Sequence, residues 1–101
     1  LNEFVTISAF DSGIKIIPLN MIVYSDDQGR VVFKSYINKP QQHQKLLKGD
    51  IILADQYENT LTIKSLKEIA FDSSNKNRKQ IYLYILRDQE TFLQFIPISY
   101  Q

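Results

Sequence analysis

Residues 46–71 read LLKGDIILADQYENTLTIKSLKEIAF. In this stretch a short apolar run, Ile51–Ala54, follows directly on Gly49 and Asp50, in a chain with only three glycines. Glycine admits backbone geometry that other residues resist, and an aspartate side chain can bond nearby N–H groups to hold a turn. The pair therefore reads as a turn in front of a short strand covered on both faces. Beyond it, YENTLTI is a turn leading into another short strand. Ser65 and Glu68 have the spacing of a capping box, and Leu66, Ile69 and Ala70 fall at i, i+3 and i+4 on one face of a helix. That helix is expected to end within DSSNKN, residues 72–77.

Outward from this segment the chain is mostly strands and turns. EFVTISAF (Glu3–Phe10) alternates like a strand, and DSG (Asp11–Gly13) is turn chemistry. IKIIPL follows as a strand whose Pro18 belongs at an edge or a strand end, because it cannot donate to a ladder. NMIVY either extends that strand past a bulge or forms another short one. SDDQG is a polar turn, and RVVFKSYI (Arg30–Ile37) is a clear strand. NKPQQHQKLLKG reads as a loop with a short helical turn. KQIYLYILRD and ETFLQFIPI are two strands of a hairpin joined by Asp88-Gln89-Glu90. The expected fold class is α+β, mainly β: a small antiparallel barrel or sandwich of five to six strands capped by two helices.

A chain of 101 residues makes one domain, here residues 1–101. A hydrophobic fraction of 44% excludes a disordered chain. The net charge is +1, so there is no electrostatic case for nucleic acid as a partner. With no cysteine there is no disulfide, thiolate nucleophile or cysteine zinc site. The apolar runs fall far short of the roughly 20 residues needed to cross a bilayer as a helix, so direct membrane insertion is not expected. Because the sequence starts at Leu1, we read it as a domain excised or processed from a larger protein.

No catalytic or metal constellation stands out. His43 is the only histidine and lies in the polar run QQHQ, where a solvated loop residue is favoured over a triad or zinc role. Asp26 and Asp27 beside Gly29 lack the ligand spacing of a calcium loop, so a β-turn is favoured. Ser73 and Ser74 lack a nucleophile-elbow context. NKNRK (Asn75–Lys79) is read as a solvated loop rather than a phosphate or anionic-lipid patch. Neither enzymatic activity of this domain nor a cofactor is expected.

The ordered series of motifs resembles a PDZ domain of the bacterial type attached to HtrA-like and carboxyl-terminal-processing proteases. Leu46, Leu47, Gly49, Asp50, Ile52 and Leu53 match that family's Leu-x-x-Gly-Asp-x-Ile-Leu segment; Ile63, Ser65, Leu66 and Ile69 match the opening of its second helix. IYLYILRDQETFLQFIPI is similar to its closing strand–Arg-Asp-Gly–strand, with Gln89 in place of glycine. Upstream, Pro40 matches the segment before the Gly-Asp pair, while Gln41 and Gln42 depart from it. The resemblance spans roughly Gly13 to Ile98.

What the resemblance implies is capture of an extended peptide, a protein C-terminus or an unfolded polypeptide by strand addition. The implied peptide-binding residues are Ser12, Gly13, Ile14, Lys15 and Ile16 on the loop and strand, with Leu66 and Ala70 on the helix. Ser12 stands where an apolar residue is usual. Asp11 places a negative charge beside the expected carboxylate site, at a cost of order 1–4 kcal/mol, which favours internal segments over termini. The resemblance further implies a substrate-sensing or regulatory domain of a protease in the bacterial envelope. The alternative is a non-catalytic interaction or assembly domain with a filled groove, as in secretion machinery or scaffolds. Oligomeric state is open.

Overall fold

The computed structural model describes residues 13–40 and 45–99, so the strand expected at Glu3–Phe10, the acid at Asp11, Ser12 and His43 lie outside the described residues. Six strands form one antiparallel sheet in the order of the chain: β1 (Ile14–Ile16), β2 (Met21–Ser25), β3 (Val31–Tyr36), β4 (Ile51–Asp55), β5 (Gln80–Arg87) and β6 (Glu90–Pro97). One α-helix, α1 (Ile63–Asn75), crosses between β4 and β5. The mainly β, α+β expectation holds at this level. The sheet is not closed into a barrel, and a second helix is not found among the described residues. Of the NKPQQHQKLLKG loop, where a short helical turn was expected, residues 45–47 carry no regular structure, Lys48 and Gly49 form a turn, and residues 41–44 lie outside the described residues.

Local chemistry explains the elements. At Asp26–Arg30 the carboxylate of Asp26 accepts from the backbone N–H groups of Gln28 and Arg30 at 3.0 and 2.8 Å and pairs with Arg30 Nε at 2.7 Å. Desolvation pushes the Asp26 carboxyl up, but these hydrogen bonds and the guanidinium charge outweigh it and leave the carboxyl below its usual range. Asp26 is thus spent on its own β-turn. IKIIPLNMIVY proves to be two strands: Ile17–Leu19 is a single 3-10 turn, and Asn20 takes the left-handed conformation at φ 56°. Asparagine tolerates that geometry better than most residues. The strand expected in YENTLTI is reduced to one bridge, Ala54 to Thr60, because Asp55 folds the chain back. Its carboxylate accepts from Tyr57 N, Asn59 N and Asn59 Nδ2 at 2.9–3.0 Å.

The helix begins one turn earlier than Ser65–Glu68 suggested. Thr62 is the N-cap: its hydroxyl accepts from the Ser65 N–H at 3.2 Å, and Ser65 Oγ accepts from the Thr62 N–H at 2.8 Å. The physical reason lies in the flanking leucines. Leu61 and Leu66, on either side of the cap, are both buried in the core cluster, at the two positions of a hydrophobic staple. At the other end Asn77 is left-handed at φ 56°, and Asn77 N–H and Arg78 N–H bond to the carbonyls of Ser74 and Ser73. This is a Schellman closure, and it falls inside DSSNKN as expected. Thr62→Ala is expected to cost about 1 kcal/mol, whereas Glu68→Ala should change stability by less than about 0.5 kcal/mol. Urea titration of the two variants tests the cap; a larger loss for Glu68→Ala would reinstate the later one.

The core runs along the inner face of the sheet. Met21 and Val23 of β2, Val31 and Phe33 of β3, Ile52 of β4, Leu83 and Ile85 of β5 and Ile96 of β6 meet Leu66 and Ala70 of α1. The helix packs on β2 and on the 3-10 turn. No helix among the described residues is long and apolar enough to cross a membrane.

The Gly-Asp pair has a larger role than a turn. Gly49 sits at φ 94° with open space where a Cβ would be, so its conformation alone requires glycine. Its N–H donates to the Phe33 carbonyl, and the Phe33 N–H donates to the Asp50 carbonyl, which extends the β3–β4 ladder. The Asp50 side chain is 2% exposed and holds Arg87 in a two-pronged bridge, Nε to Oδ1 at 2.8 Å and Nη2 to Oδ2 at 2.7 Å. By accepting these bonds it pushes the Arg87 guanidinium further above its already high pKa. Asp50 Oδ2 also accepts the Leu47 N–H at 2.8 Å, and Arg87 reaches the Lys45 carbonyl at 3.2 Å. The guanidinium lies 5.0 Å from the centre of the Phe92 ring. Beside this clamp Tyr36 Oη accepts the Leu46 N–H at 2.8 Å. Burial, opposed by that bond, raises the Tyr36 hydroxyl above its usual pKa.

Candidate functional site

Of the residues expected to bind peptide, Gly13, Ile14, Lys15 and Ile16 lie in sequence along β1 and its first turn, and Leu66 and Ala70 lie one turn apart on α1. β1 is an outer strand of the sheet, with β2 on one side and no strand on the other among the described residues. A strand of this kind presents backbone donors and acceptors that another chain can pair with. Ile14 is 38% exposed and Lys15 is exposed.

The other three residues are used differently. Ile16, Leu66 and Ala70 have no exposed surface and belong to one core cluster with Leu19, Met21 and Val23. The hydrophobic face that the helix turns toward the sheet is therefore filled by the chain itself. In this conformation Leu66 and Ala70 offer no exposed surface to a ligand side chain. Ile16 is enclosed in the core, whereas Ile14, two residues earlier, is left 38% exposed.

Gly13 occupies a restricted place. At φ 71° it would, with a Cβ, meet Ile22 Cγ2 at 2.6 Å and the Val23 carbonyl oxygen at 3.1 Å. Its lack of a side chain is what lets the chain settle against β2. Behind β1 the 3-10 turn is tied down independently. Asn20 is 7% exposed; its carbonyl accepts the Ile37 N–H at 3.1 Å, and its Oδ1 accepts the Asn38 N–H at 2.9 Å. The Ser99 N–H donates to the Pro18 carbonyl at 2.7 Å, which brings the chain beyond β6 against the turn. The sequence reading passed over Asn20. The local signal was there: a proline two residues before an asparagine is turn chemistry, and it marks a break between strands rather than a bulge.

Elsewhere a cleft of about 330 Å³ opens between the second half of α1, the end of β4 and the start of β5. Asp55, Tyr57, Asp72, Arg78 and Tyr82 line it, and none of the expected peptide-binding residues does. Asp55 is already saturated by Tyr57 and Asn59, and Asp72 pairs with Lys76 at 3.2 Å. Among the described residues no group of histidine, aspartate or glutamate is arranged to hold a metal ion. Comparisons of the chain with protein-family models, with curated proteins and with solved structures gave no match.

Proposed function

We propose that this chain is a peptide-binding module of PDZ-like type, which captures an extended polypeptide by adding it as a strand at the β1–β2 end of the sheet. The observation that carries the reading is a short outer strand lying at that end, close to a turn and a strand on which the helix packs. Main-chain hydrogen bonds would supply much of the affinity, and side-chain pockets the selectivity. The motif series Leu-x-x-Gly-Asp, helix, Arg-Asp hairpin supports the same architecture. By that resemblance the domain senses substrate for a protease of the bacterial envelope.

A second reading is an assembly domain whose groove is permanently filled. The complete burial of Ile16, Leu66 and Ala70 favours it. Titration of the labelled protein with random-terminus peptides separates the two by NMR. Strand capture predicts concentration-dependent amide shifts at Gly13, Ile14, Leu66 and Ala70. Unmoved resonances at all four positions would leave the assembly reading.

A further inference from the structure

We propose that β1 is a resident occupant of a strand-accepting site on β2, and that an external peptide is captured by displacing it. The proposal rests on the strand-capture reading above and assigns the accepting edge to Met21–Val23 rather than to the outer side of β1.

The first argument is how β1 is held. It is three residues long and pairs antiparallel with β2 through Ile14 to Val23, Lys15 to Ile22 and Ile16 to Met21. Only Ile16 is buried; the other two side chains face solvent in large part. A short strand with one anchoring side chain belongs to the weakly held part of a fold.

The second argument is that, among the described residues, the turn that follows β1 is fixed without it. The 3-10 turn is fastened by the Ser99–Pro18, Ile37–Asn20 and Asn38–Asn20 hydrogen bonds, and Pro18 and Leu19 are buried. None of these contacts involves residues 13–16. β1 can therefore swing away near the Ile16–Ile17 junction while the turn, β2 and α1 stay in place. It would leave an unpaired stretch of β2 backbone and an apolar hole where Ile16 lay among Met21, Val23, Leu66 and Ala70. A strand edge beside an apolar recess is what an incoming extended peptide requires.

The third argument identifies the ligand. The occupant shows what the site accepts: an extended segment with an apolar β-branched residue in the Ile16 position and exposed residues in the two positions before it. The partner is thus an extended peptide with one apolar β-branched anchor residue. If the closed arrangement is favoured by about a hundredfold, the apparent affinity for such a peptide is lowered by the same factor. β1 then sets a threshold for binding.

A reversible lock tests this. The chain has no cysteine, so Lys15→Cys with Ile22→Cys introduces the only two. These positions are direct cross-strand neighbours, a separation compatible with a disulfide. The probe is a fluorescent synthetic peptide with the sequence of residues 11–18, DSGIKIIP. The oxidised protein is expected to bind it at least about tenfold more weakly than the reduced protein, the lost competent fraction appearing directly in the apparent affinity. Gly13→Val acts in the opposite sense, since a side chain there collides with Ile22 and Val23 and loosens β1. It should tighten binding by about tenfold on the same relation. Equal affinity in the oxidised and reduced states would overturn displacement while leaving strand capture at another edge intact. Weaker binding by Gly13→Val would likewise overturn it. No binding by wild type, reduced double variant and Gly13→Val alike would refute strand capture itself, and displacement with it.

Discussion

Arg87→Ala is expected to lower the free energy of unfolding by about 3–5 kcal/mol, the usual cost of leaving one member of a buried ion pair without its partner. Folded domains are stable by only about 5–15 kcal/mol, so this variant should lose a large part of its stability. The reason is the environment of Asp50. Its carboxylate is 2% exposed and has two guanidinium bonds and one backbone N–H as its partners. Without Arg87 only the Leu47 N–H remains as a hydrogen-bond partner of the carboxylate. The truncation also removes the guanidinium from the Phe92 face and from the Lys45 carbonyl.

Asp50→Ala should cost less, about 2–3 kcal/mol, because the abandoned Arg87 side chain is 33% exposed and can be rehydrated. The double variant closes a thermodynamic cycle. Its cost should fall at least about 1 kcal/mol short of the sum of the two single costs. Urea midpoints for the four proteins measure this, and strictly additive costs would mean that the bridge does not couple the turn to the hairpin.

Leu66→Ala is the second large effect, a loss of about 2–5 kcal/mol. Leu66 has no exposed surface and belongs to a core cluster with side chains from all six strands and the 3-10 turn, so truncation leaves a cavity that the sheet cannot easily collapse into. A residue that merely lined an open groove would lose little stability on truncation. Lys67→Ala, on the exposed side of the same turn, is expected to stay within about 0.5 kcal/mol of wild type. Leu66→Met, which keeps the volume, should cost less than about 1.5 kcal/mol. A Leu66→Ala midpoint close to that of Lys67→Ala would show that the core is not closed over the helix, and would return Leu66 to the role of a groove residue.

These two positions also mark how far the sequence could be read. The Gly-Asp turn, the strand behind it, the capped helix and the closing hairpin are all local patterns. Each depends on residues within a few positions of one another, as turn geometry, capping and periodicity do. The partner of Asp50 is 37 residues away, and nothing in the spacing of the chain points to it. An ion pair between distant strands has no period, so only the antiparallel pairing of β4 with β5 brings the two side chains together. The sequence reading placed the cap at Ser65, whereas Thr62 carries it. Burial of Leu61 with Leu66 in the shared core favours the earlier start.

The same division holds for the candidate site. The sequence by itself determined that an extended segment starts at Ile14 behind the turn Asp11–Gly13, and that Leu66 and Ala70 share one face of a helix. Alternation along a strand and spacing along a helix require nothing more. Only the tertiary structure decided that Ile16, Leu66 and Ala70 are enclosed together while Ile14 and Lys15 remain outside. Burial depends on which elements stack, and that is fixed here by a turn pinned from β3 and from the chain beyond β6. The pattern in the chain names the residues that can meet; long-range packing chooses which of them meet each other and which stay exposed.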